Sequence, residues 1–326
     1  MTRSKPVVAV LDDWESRWTA SPELDRLRPY ADLRIVTGHL LGLSELAAVA
    51  RDASVLVLNR ERTRIDAAVL AELPELRVIV NTGAGLNHVN RAAAESRGVR
   101  LSTTGGRSCA VAEQTFALML AAVKQLPQLD RGLRCGRFPV QPLVGDLEGK
   151  RLGIVGVGTI GARVARIAGA FGMRVTGWSP HLSDERAAGL GIARAAGLVE
   201  LARSSDVFSL HLRLVPKTRG IASAEVIGAL PAGALFVNTA RAELVDTQAL
   251  LARAERGELT LALDVFDDEP EIDPRYRALR GAFSPHVGWK SEGTWDEFVR
   301  LGVDRVLEAL TSLSDQASSP VVPAGN

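Results

Sequence analysis

The chain has 326 residues, of which 46% are hydrophobic and 24% are charged, a composition typical of a soluble globular protein of about two domains. Its formal net charge of +1 argues against binding to nucleic acid or to an anionic membrane through overall charge. No apolar run approaches the ~18 residues that a membrane-spanning helix needs, which argues against a membrane protein.

The start of the chain and its cysteines predict a cytoplasmic protein without a bound metal. Met1 to Pro6 lead directly into a short apolar run, without the longer apolar stretch and cleavage site of a signal peptide. Cys109 and Cys135 are the only cysteines, and neither lies in a metal-ligand spacing. We therefore expect two reduced, structural thiols.

In the first third of the chain, short apolar runs alternate with segments of helical periodicity. The runs have the length of buried strands and lie at Val7–Leu11, Leu33–Val36, Ala53–Leu58 and Leu76–Val80. Helical patterns lie between them, over 43–53 and 66–73. This alternation predicts a parallel sheet with helices on its faces.

A long apolar helix, predicted over Val111–Leu126 with Pro127 near its end, precedes a second alternating series. The strands predicted in that series are Leu152–Val155, Arg174–Gly177, Val207–Leu210, Ala234–Val237 and Leu261–Asp264. An amphipathic helix follows from Ser291. Two complete series predict an α/β protein with two doubly wound parallel-sheet domains of the Rossmann or flavodoxin type.

The segment from Gly156 to Gly161 matches the dinucleotide-binding pattern G-x-G-x-x-G, and it follows a predicted strand and opens a predicted helix. Gly156 permits a tight turn, Gly158 allows a pyrophosphate to approach the backbone, and Gly161 allows close packing of helix on strand. Thr159 and Ile160 begin the helix, whose free N–H groups face the phosphates. A tight turn without a ligand is the alternative interpretation.

The next strand leads to Ser179, where many such domains carry the acidic residue that binds the ribose 2′-hydroxyl. A serine neither holds both ribose hydroxyls as a carboxylate does nor repels a 2′-phosphate. No Arg or Lys lies at 180 to 183, although His181 is available there. The choice between NAD and NADP stays open, with a slight preference for NADP.

Three later residues carry the chemistry that reduction of a 2-oxo acid requires. Arg241 follows a strand, and its guanidinium can hold a carboxylate and polarise a carbonyl group. His286 can protonate the developing alkoxide, and Glu269 can keep that imidazole charged and oriented. Taken singly, each also fits a structural role, as a surface ion pair, a solvated loop residue or a structural histidine.

Four ordered motifs resemble those of the D-isomer-specific 2-hydroxyacid dehydrogenase family, and the resemblance covers nearly the whole chain. They are Leu147–Gly161, Asn238–Arg241, Leu263–Pro270 and Ser284–Gly288. The resemblance implies that Arg241, Glu269 and His286 are catalytic and that Asp264 contacts the nicotinamide amide. The remaining candidates for cofactor binding are His211, Thr239 and Ala240.

The N-terminal half resembles the same family in its Gly-rich segment Gly83–Asn90. The resemblance implies that backbone N–H groups at Ala84 and Gly85 hold the substrate carboxylate, and that Arg60 lines the mouth of the site. It also implies a split fold, with a substrate domain at 1–102 and 287–326 and a cofactor domain at 103–286. Hinge closure and a homodimer formed through the cofactor domain are further expectations.

Several positions depart from the family pattern. Ala242 replaces a common glycine, Arg213 replaces a common proline, and Trp289 and Lys290 follow the histidine motif. Trp289 could form a hydrophobic wall and Lys290 could attract a second anionic group. Formate-type members carry Gln where this chain has Glu269, which disfavours formate oxidation. A dinucleotide-sensing corepressor or scaffold remains the alternative to an enzyme of 2-oxo acids.

Overall fold

We describe the protein from a computed structural model, which covers residues 5–40, 42–138 and 143–318. The chain divides into two compact units, Met1–Arg107 with Glu292–Asn326, and Ser108–Ser291. The ends of the predicted substrate domain, at residues 1–4 and 319–326, lie outside the described part of the chain. Within that part, no helix combines the length and the apolar character needed to cross a membrane.

All strands pair in parallel, within one sheet per unit. The strands are β1 Val7–Leu11, β2 Asp32–Ile35, β3 Ala53–Leu58, β4 Val78–Asn81, β5 Arg100–Thr103, β6 Arg151–Val155, β7 Arg174–Trp178, β8 Ala193–Arg194, β9 Val207–Leu210, β10 Ala234–Asn238, β11 Leu259–Leu263 and β12 Gly281–Phe283. The helices are α1 Leu43–Ala50, α2 Ala67–Ala71, α3 Arg91–Ser96, α4 Ser108–Val123, α5 Leu126–Arg134, α6 Thr159–Ala170, α7 Asp184–Gly189, α8 Leu198–Arg203, α9 Ala224–Ala229, α10 Thr247–Glu255 and α11 Glu292–Ser318. Short 3-10 helices lie at Pro22–Arg26, Ala242–Leu244 and Pro274–Ala278.

The first unit contains a five-stranded sheet of order β2-β1-β3-β4-β5. Its central strands are continuous apolar runs because helices cover both faces of a parallel sheet. Side chains of α11, among them Val299, Val303 and Val306, pack on one face against Val8 and Val57. On the other face, residues of α1, α2 and α3 form a second buried cluster with β1, β3 and β4. The predicted doubly wound fold is therefore confirmed for this unit.

The second unit contains a seven-stranded sheet of order β12-β11-β10-β9-β6-β7-β8. Residues of α4 and α6 pack on one face and residues of α8, α9 and α10 pack on the other. The strand order reverses between β6 and β9, so the carboxyl ends of these two strands border the crevice where doubly wound sheets bind ligands. This arrangement confirms the predicted Rossmann-type sheet.

The long helix differs from its prediction at both ends. α4 starts at Ser108 and ends at Val123 rather than at Leu126, because Gln125 adopts a left-handed conformation with φ +53°. Pro127 lies in the first turn of α5, where its missing N–H costs no hydrogen bond. The proline therefore begins a new helix, and the predicted bounds of the long helix, Val111 and Leu126, were each misplaced by three residues.

Candidate active site

The glycine loop turns sharply at the carboxyl end of β6, against the end of β9. Gly156 has φ +98°, and a Cβ atom there would lie 2.7 Å from the backbone carbonyl of His211. The loop is held on both sides, since Gly156 N–H donates to Trp178 and His211 N–H donates to Val155, each at 2.7 Å. Only glycine meets both the conformation and the close approach.

The loop leads into α6, whose N-terminus is open to a ligand. Gly158 occupies the N-cap position without a side-chain cap, and a Cβ atom there would meet no atom within 4 Å. A Cβ atom at Gly161, in contrast, would collide with the carbonyl oxygen of Gly156. Free N–H groups beside open space fit a pyrophosphate, so the residues present are suited to a dinucleotide. Thr159 and Ile160 form the first turn of this helix.

Ser179 is bound to the glycine loop. Its Oγ accepts a hydrogen bond from the N–H of Val157 at 2.7 Å. Arg186 of α7 also contacts Val157, with Nη2 donating to the Val157 carbonyl at 3.2 Å. A cation thus lies at the loop although residues 180–183 contain none. No local sequence pattern indicates this contact beyond a basic residue soon after Ser179.

His211 lies at the end of β9, next to the loop. Burial lowers the pKa of His211 to about 4, so its imidazole is uncharged at neutral pH. Its Nε2 lies 2.9 Å from the hydroxyl of Ser209, which fixes the ring. The side chain therefore offers the loop a fixed, neutral group.

Three chemically distinct residues follow the adjacent strands β10, β11 and β12. Oε2 of Glu269 lies 2.7 Å from Nδ1 of His286, and the side chains are 33% and 28% exposed. Oε1 of Glu269 accepts a hydrogen bond from the N–H of Phe266 at 2.8 Å. The pairing leaves Nε2 of the imidazole for other partners. The structure thus brings two of the predicted catalytic residues together.

Arg241 stands just beyond the end of β10 and is half-buried. Its Nη1 donates to the carbonyl of Ala240 at 2.7 Å, and no carboxylate of the described residues forms an ion pair with it. Asn238 holds the turn, because its Nδ2 donates to the Arg241 carbonyl and its Oδ1 accepts from the N–H of Ala240. The guanidinium is therefore available for an external anion.

Asp264 is 1% exposed and collects donors from the histidine loop. Its Oδ1 accepts from the Ser284 hydroxyl at 2.5 Å and from the N–H of Val287 at 3.0 Å. Its Oδ2 accepts from the N–H of Gly288 at 2.8 Å. Between these donors His286 has φ +51°, a conformation that is unfavourable outside glycine. The buried carboxylate thus holds the loop that carries the histidine.

The remaining residues of this unit that the sequence singled out differ in their burial. Thr239 is buried, with Oγ1 at 2.9 Å from Oγ1 of Thr115, and Ala240 is half-buried. Trp289 is half-buried and Lys290 is exposed. No group of three or more His, Cys, Asp or Glu side chains among the described residues could hold a metal ion.

In the first unit, Arg60 follows β3 and the loop of Ala84 and Gly85 follows β4. Because β3 and β4 are adjacent parallel strands, these residues lie at one edge of that sheet. Ala84 is exposed and Gly85 is half-buried. The N–H of Gly85 donates to no acceptor within the described residues, and the Gly85 carbonyl accepts from Asn81 Nδ2 at 2.6 Å.

Residues 116–288, more than half of the chain, match the family described as D-isomer specific 2-hydroxyacid dehydrogenase, NAD binding domain. The chain belongs to the D-isomer-specific 2-hydroxyacid dehydrogenase family. The matched residues cover most of the second unit, including the glycine loop, Arg241, Glu269 and His286. In this family the matched domain is the one that binds a nicotinamide dinucleotide, which the open N-terminus of α6 fits.

Several relatives in the family are about a third identical to this chain over the aligned residues. D-3-phosphoglycerate dehydrogenase of Methanocaldococcus jannaschii is 34% identical over 270 residues, which are 82% of this chain and 51% of that protein. The chain thus spans about half the length of this curated relative. A crystal structure of phosphoglycerate oxidoreductase from Vibrio Cholerae o395 has a TM-score of 0.82 at 32% identity, covering 94% of this chain and 99% of that one. A glyoxylate reductase from Paecilomyes thermophila has a TM-score of 0.79 at 27% identity, covering 94% and 96%.

Proposed function

We propose that this family member is an oxidoreductase that transfers a hydride between NAD(P)H and a 2-oxo acid, yielding a D-2-hydroxy acid. The observation that carries the proposal is the Glu269–His286 pair, 2.7 Å apart, at the carboxyl edge of a sheet that also presents Arg241, which pairs with no carboxylate of the described residues. A proton donor and an anion-binding cation are the groups that this reduction requires. The bound reduced nicotinamide would supply the hydride to C2.

Arg241 is proposed to bind the substrate through its carboxylate and its carbonyl oxygen. A planar guanidinium donates paired N–H groups, which suits both oxygens at once. Asn238 holds the turn that carries it, since Nδ2 of Asn238 donates to the Arg241 carbonyl and Oδ1 accepts from the N–H of Ala240, so little ordering is required on binding. The positive charge also stabilises the alkoxide as the carbonyl bond is reduced.

His286 is proposed to give a proton from Nε2 to the substrate oxygen while C2 gains the hydride. Glu269 faces Nδ1, and its second oxygen is held by Phe266 N–H, so the carboxylate orients the ring. Its negative charge also lies beside the ring that donates the proton. In the reverse direction the neutral imidazole accepts the hydroxyl proton of the hydroxy acid.

For the cofactor, we propose NADPH as the preferred form. Ser179 places no carboxylate near the ribose, and Arg186 brings a guanidinium to the same loop through Val157. A nearby arginine and a missing acidic residue are the features that accommodate a 2′-phosphate. The dinucleotide contacts proposed from the resemblance are Gly156, Gly158, Thr159, Ile160, Gly161, Ser179, His211, Thr239, Ala240 and Asp264.

We further propose that Arg60, Ala84 and Gly85 contribute to binding the substrate carboxylate, and that the substrate domain is formed by residues 1–102 and 287–326. The N–H of Gly85, which donates to no acceptor among the described residues, supports the first part, because backbone amides can bind an anion. Both assignments follow the family resemblance of this half of the chain.

A homodimer through the cofactor domain is also proposed. Apolar side chains on and after α5 are exposed: Leu126 by 52%, Leu133 by 56%, Phe138 by 85% and Leu143 by 99%. Large exposed apolar side chains favour association, and a second copy of the same chain is the proposed partner. Sedimentation of the wild type and of Leu133→Asp tests this, with a shift of the variant toward monomer expected.

The enzyme assay follows the absorbance of NADH or NADPH with glyoxylate, hydroxypyruvate and longer 2-oxo acids, with chiral analysis of the product. We expect turnover of at least one acid, and a loss of about 100-fold or more in kcat for His286→Gln. Tight dinucleotide binding without turnover of any acid would overturn the proposal in favour of a dinucleotide-sensing binding protein.

A further inference from the structure

Two charged residues that follow β3 lie directly on the glycine loop of the first unit. Arg60 has φ +66°, and its N–H donates to the hydroxyl of Thr82 at 3.0 Å. This turn directs the side chain back toward the loop. A Cβ atom at Gly83 would collide with Arg60 Nη1, and one at Gly85 would collide with Oε1 of Glu61. The two glycines therefore make room for a guanidinium and a carboxylate.

The carboxylate of Glu61 also offsets the charge of Arg60. Nη2 of Arg60 lies 3.4 Å from Oε2 of Glu61, and the side chains are 12% and 34% exposed. At this burial the ion pair is screened less than a pair in open solvent. An anion that binds Arg60 has to compete with a carboxylate already beside it.

The neighbouring groups add no net positive charge. Arg62 is bound by both oxygens of Glu15, at 2.6 and 2.8 Å, and its guanidinium stacks on Trp14 at 4.2 Å. Burial lowers the pKa of His88. The charge of Glu61 raises this pKa and the charge of Arg60 lowers it, so the net shift is downward and favours the neutral imidazole. Asp12 contributes a further carboxyl, whose pKa burial raises. Both of the described cations that lie here, Arg60 and Arg62, are therefore already paired with carboxylates, which disfavours a phosphate or a second carboxylate.

We propose that Glu61 selects substrates by their charge. The preferred substrate is then a 2-oxo acid with a single carboxylate and no phosphate or second acidic group. This inference rests on the proposed function and deepens it. It also separates this chain from its curated relative in Methanocaldococcus jannaschii, whose name specifies a phosphorylated substrate. A fixed negative charge at the loop penalises each further negative charge on the ligand.

Hydroxypyruvate and 3-phosphohydroxypyruvate form the matched substrate pair, because they differ only in the phosphate. We expect the wild type to have a kcat/KM at least about tenfold higher for hydroxypyruvate. Glu61→Gln should lower the ratio of kcat/KM for hydroxypyruvate over 3-phosphohydroxypyruvate by about tenfold, mainly through a lower KM for the phosphorylated acid. Glu75→Gln, with the same change in net charge at a side chain that is 61% exposed, should leave the preference unchanged.

A binding assay makes the test independent of turnover. The affinities of oxamate, a monoanion, and tartronate, a dianion, are measured by protein fluorescence in the presence of NADPH. We expect Glu61→Gln to strengthen tartronate binding about tenfold relative to oxamate. An unchanged ratio in both assays, or a wild type that prefers the dianions, would overturn the role of Glu61. Absence of turnover with every acid would overturn the proposed function, and the binding ratio would still decide this inference.

Discussion

Glu269 and His286 form a close pair, with Oε2 of the carboxylate 2.7 Å from Nδ1 of the imidazole. The two residues follow neighbouring strands, β11 and β12, so the parallel sheet itself brings them to one edge. The second carboxylate oxygen is held by the N–H of Phe266. The pair is thus oriented before any substrate binds.

Glu269→Gln is expected to lower kcat about 10- to 100-fold, because the amide keeps the size of the side chain but removes the negative charge beside the proton-donating ring. KM for the dinucleotide should change little. Steady-state kinetics provide the measurement, with Glu271→Gln, an exposed neighbour, as the control. A variant with wild-type kcat would show that Glu269 has no part in proton transfer.

Asp264→Asn is expected to reduce both stability and kcat. The amide group would direct N–H toward some of the donors of Ser284, Val287 and Gly288, leaving buried groups unpaired. Each unpaired group costs about 1–3 kcal/mol, and the loop that carries His286 loses its anchor. Thermal unfolding and kcat are compared with those of Asp267→Asn, whose side chain is exposed. Equal unfolding temperatures for the two variants would contradict this account.

The strands of both sheets could be predicted wherever a buried strand is a continuous apolar run, as in Val7–Leu11 and Val207–Leu210. Ala193–Arg194 and Gly281–Phe283 could not, because two or three residues at a sheet edge carry no periodicity. The end of α4 was misplaced because a proline both stops a helix and starts one.

The candidate site was predictable where it follows strand ends, since parallel strands collect their carboxyl ends at one edge. The contact of Arg186 with Val157 depends on how α7 packs, which no local pattern encodes. The same holds for the close approach of the Glu61 side chain to Gly85, which depends on the left-handed conformation of Arg60. Such contacts arise from loop conformation rather than from spacing.

Alanine substitutions at two glycines of the glycine loop should affect different properties, dinucleotide affinity in one variant and stability in the other. Gly158→Ala places a Cβ atom in open space, so we expect an unchanged unfolding temperature and at least a tenfold loss of dinucleotide affinity. Gly161→Ala forces a Cβ atom against the Gly156 carbonyl, and we expect a loss of about 1–3 kcal/mol in unfolding free energy. Thermal melting and fluorescence titration with NADPH distinguish the two. A Gly158→Ala variant that lost stability but kept its dinucleotide affinity would refute the assignment of Gly158 to the dinucleotide site.

Ser179→Asp is expected to shift the ratio of kcat/KM for NADPH over NADH toward NADH by about tenfold or more, because a carboxylate repels a 2′-phosphate and binds the ribose diol. Arg186→Ala should weaken NADPH alone. Ser183→Asp introduces the same charge at the N-cap of α7, where Asp is well tolerated, and serves as the control. If Ser179→Asp and Ser183→Asp gave the same ratio, neither position would set cofactor choice.

The pKa of His211 predicts a specific loss of stability in mild acid. Burial lowers this pKa to about 4, whereas an unfolded histidine has about 6.5. Between these values the unfolded state binds more protons, so the stabilising difference is complete above pH 6.5 and is lost as pH falls toward 4. Over the whole window the loss reaches about 3 kcal/mol, at about 1.4 kcal/mol per pH unit.

Urea unfolding at pH 7.5 and pH 5 of the wild type and of His211→Asn isolates this contribution, because His88, whose pKa burial also lowers, is common to both proteins. We expect the wild type to lose about 2 kcal/mol more than the variant between the two pH values. Asn keeps a polar group near the hydroxyl of Ser209 but does not titrate. Equal losses in the two proteins would mean that His211 takes up its proton at the same pH whether folded or unfolded, and that its imidazole is not kept neutral beside the glycine loop.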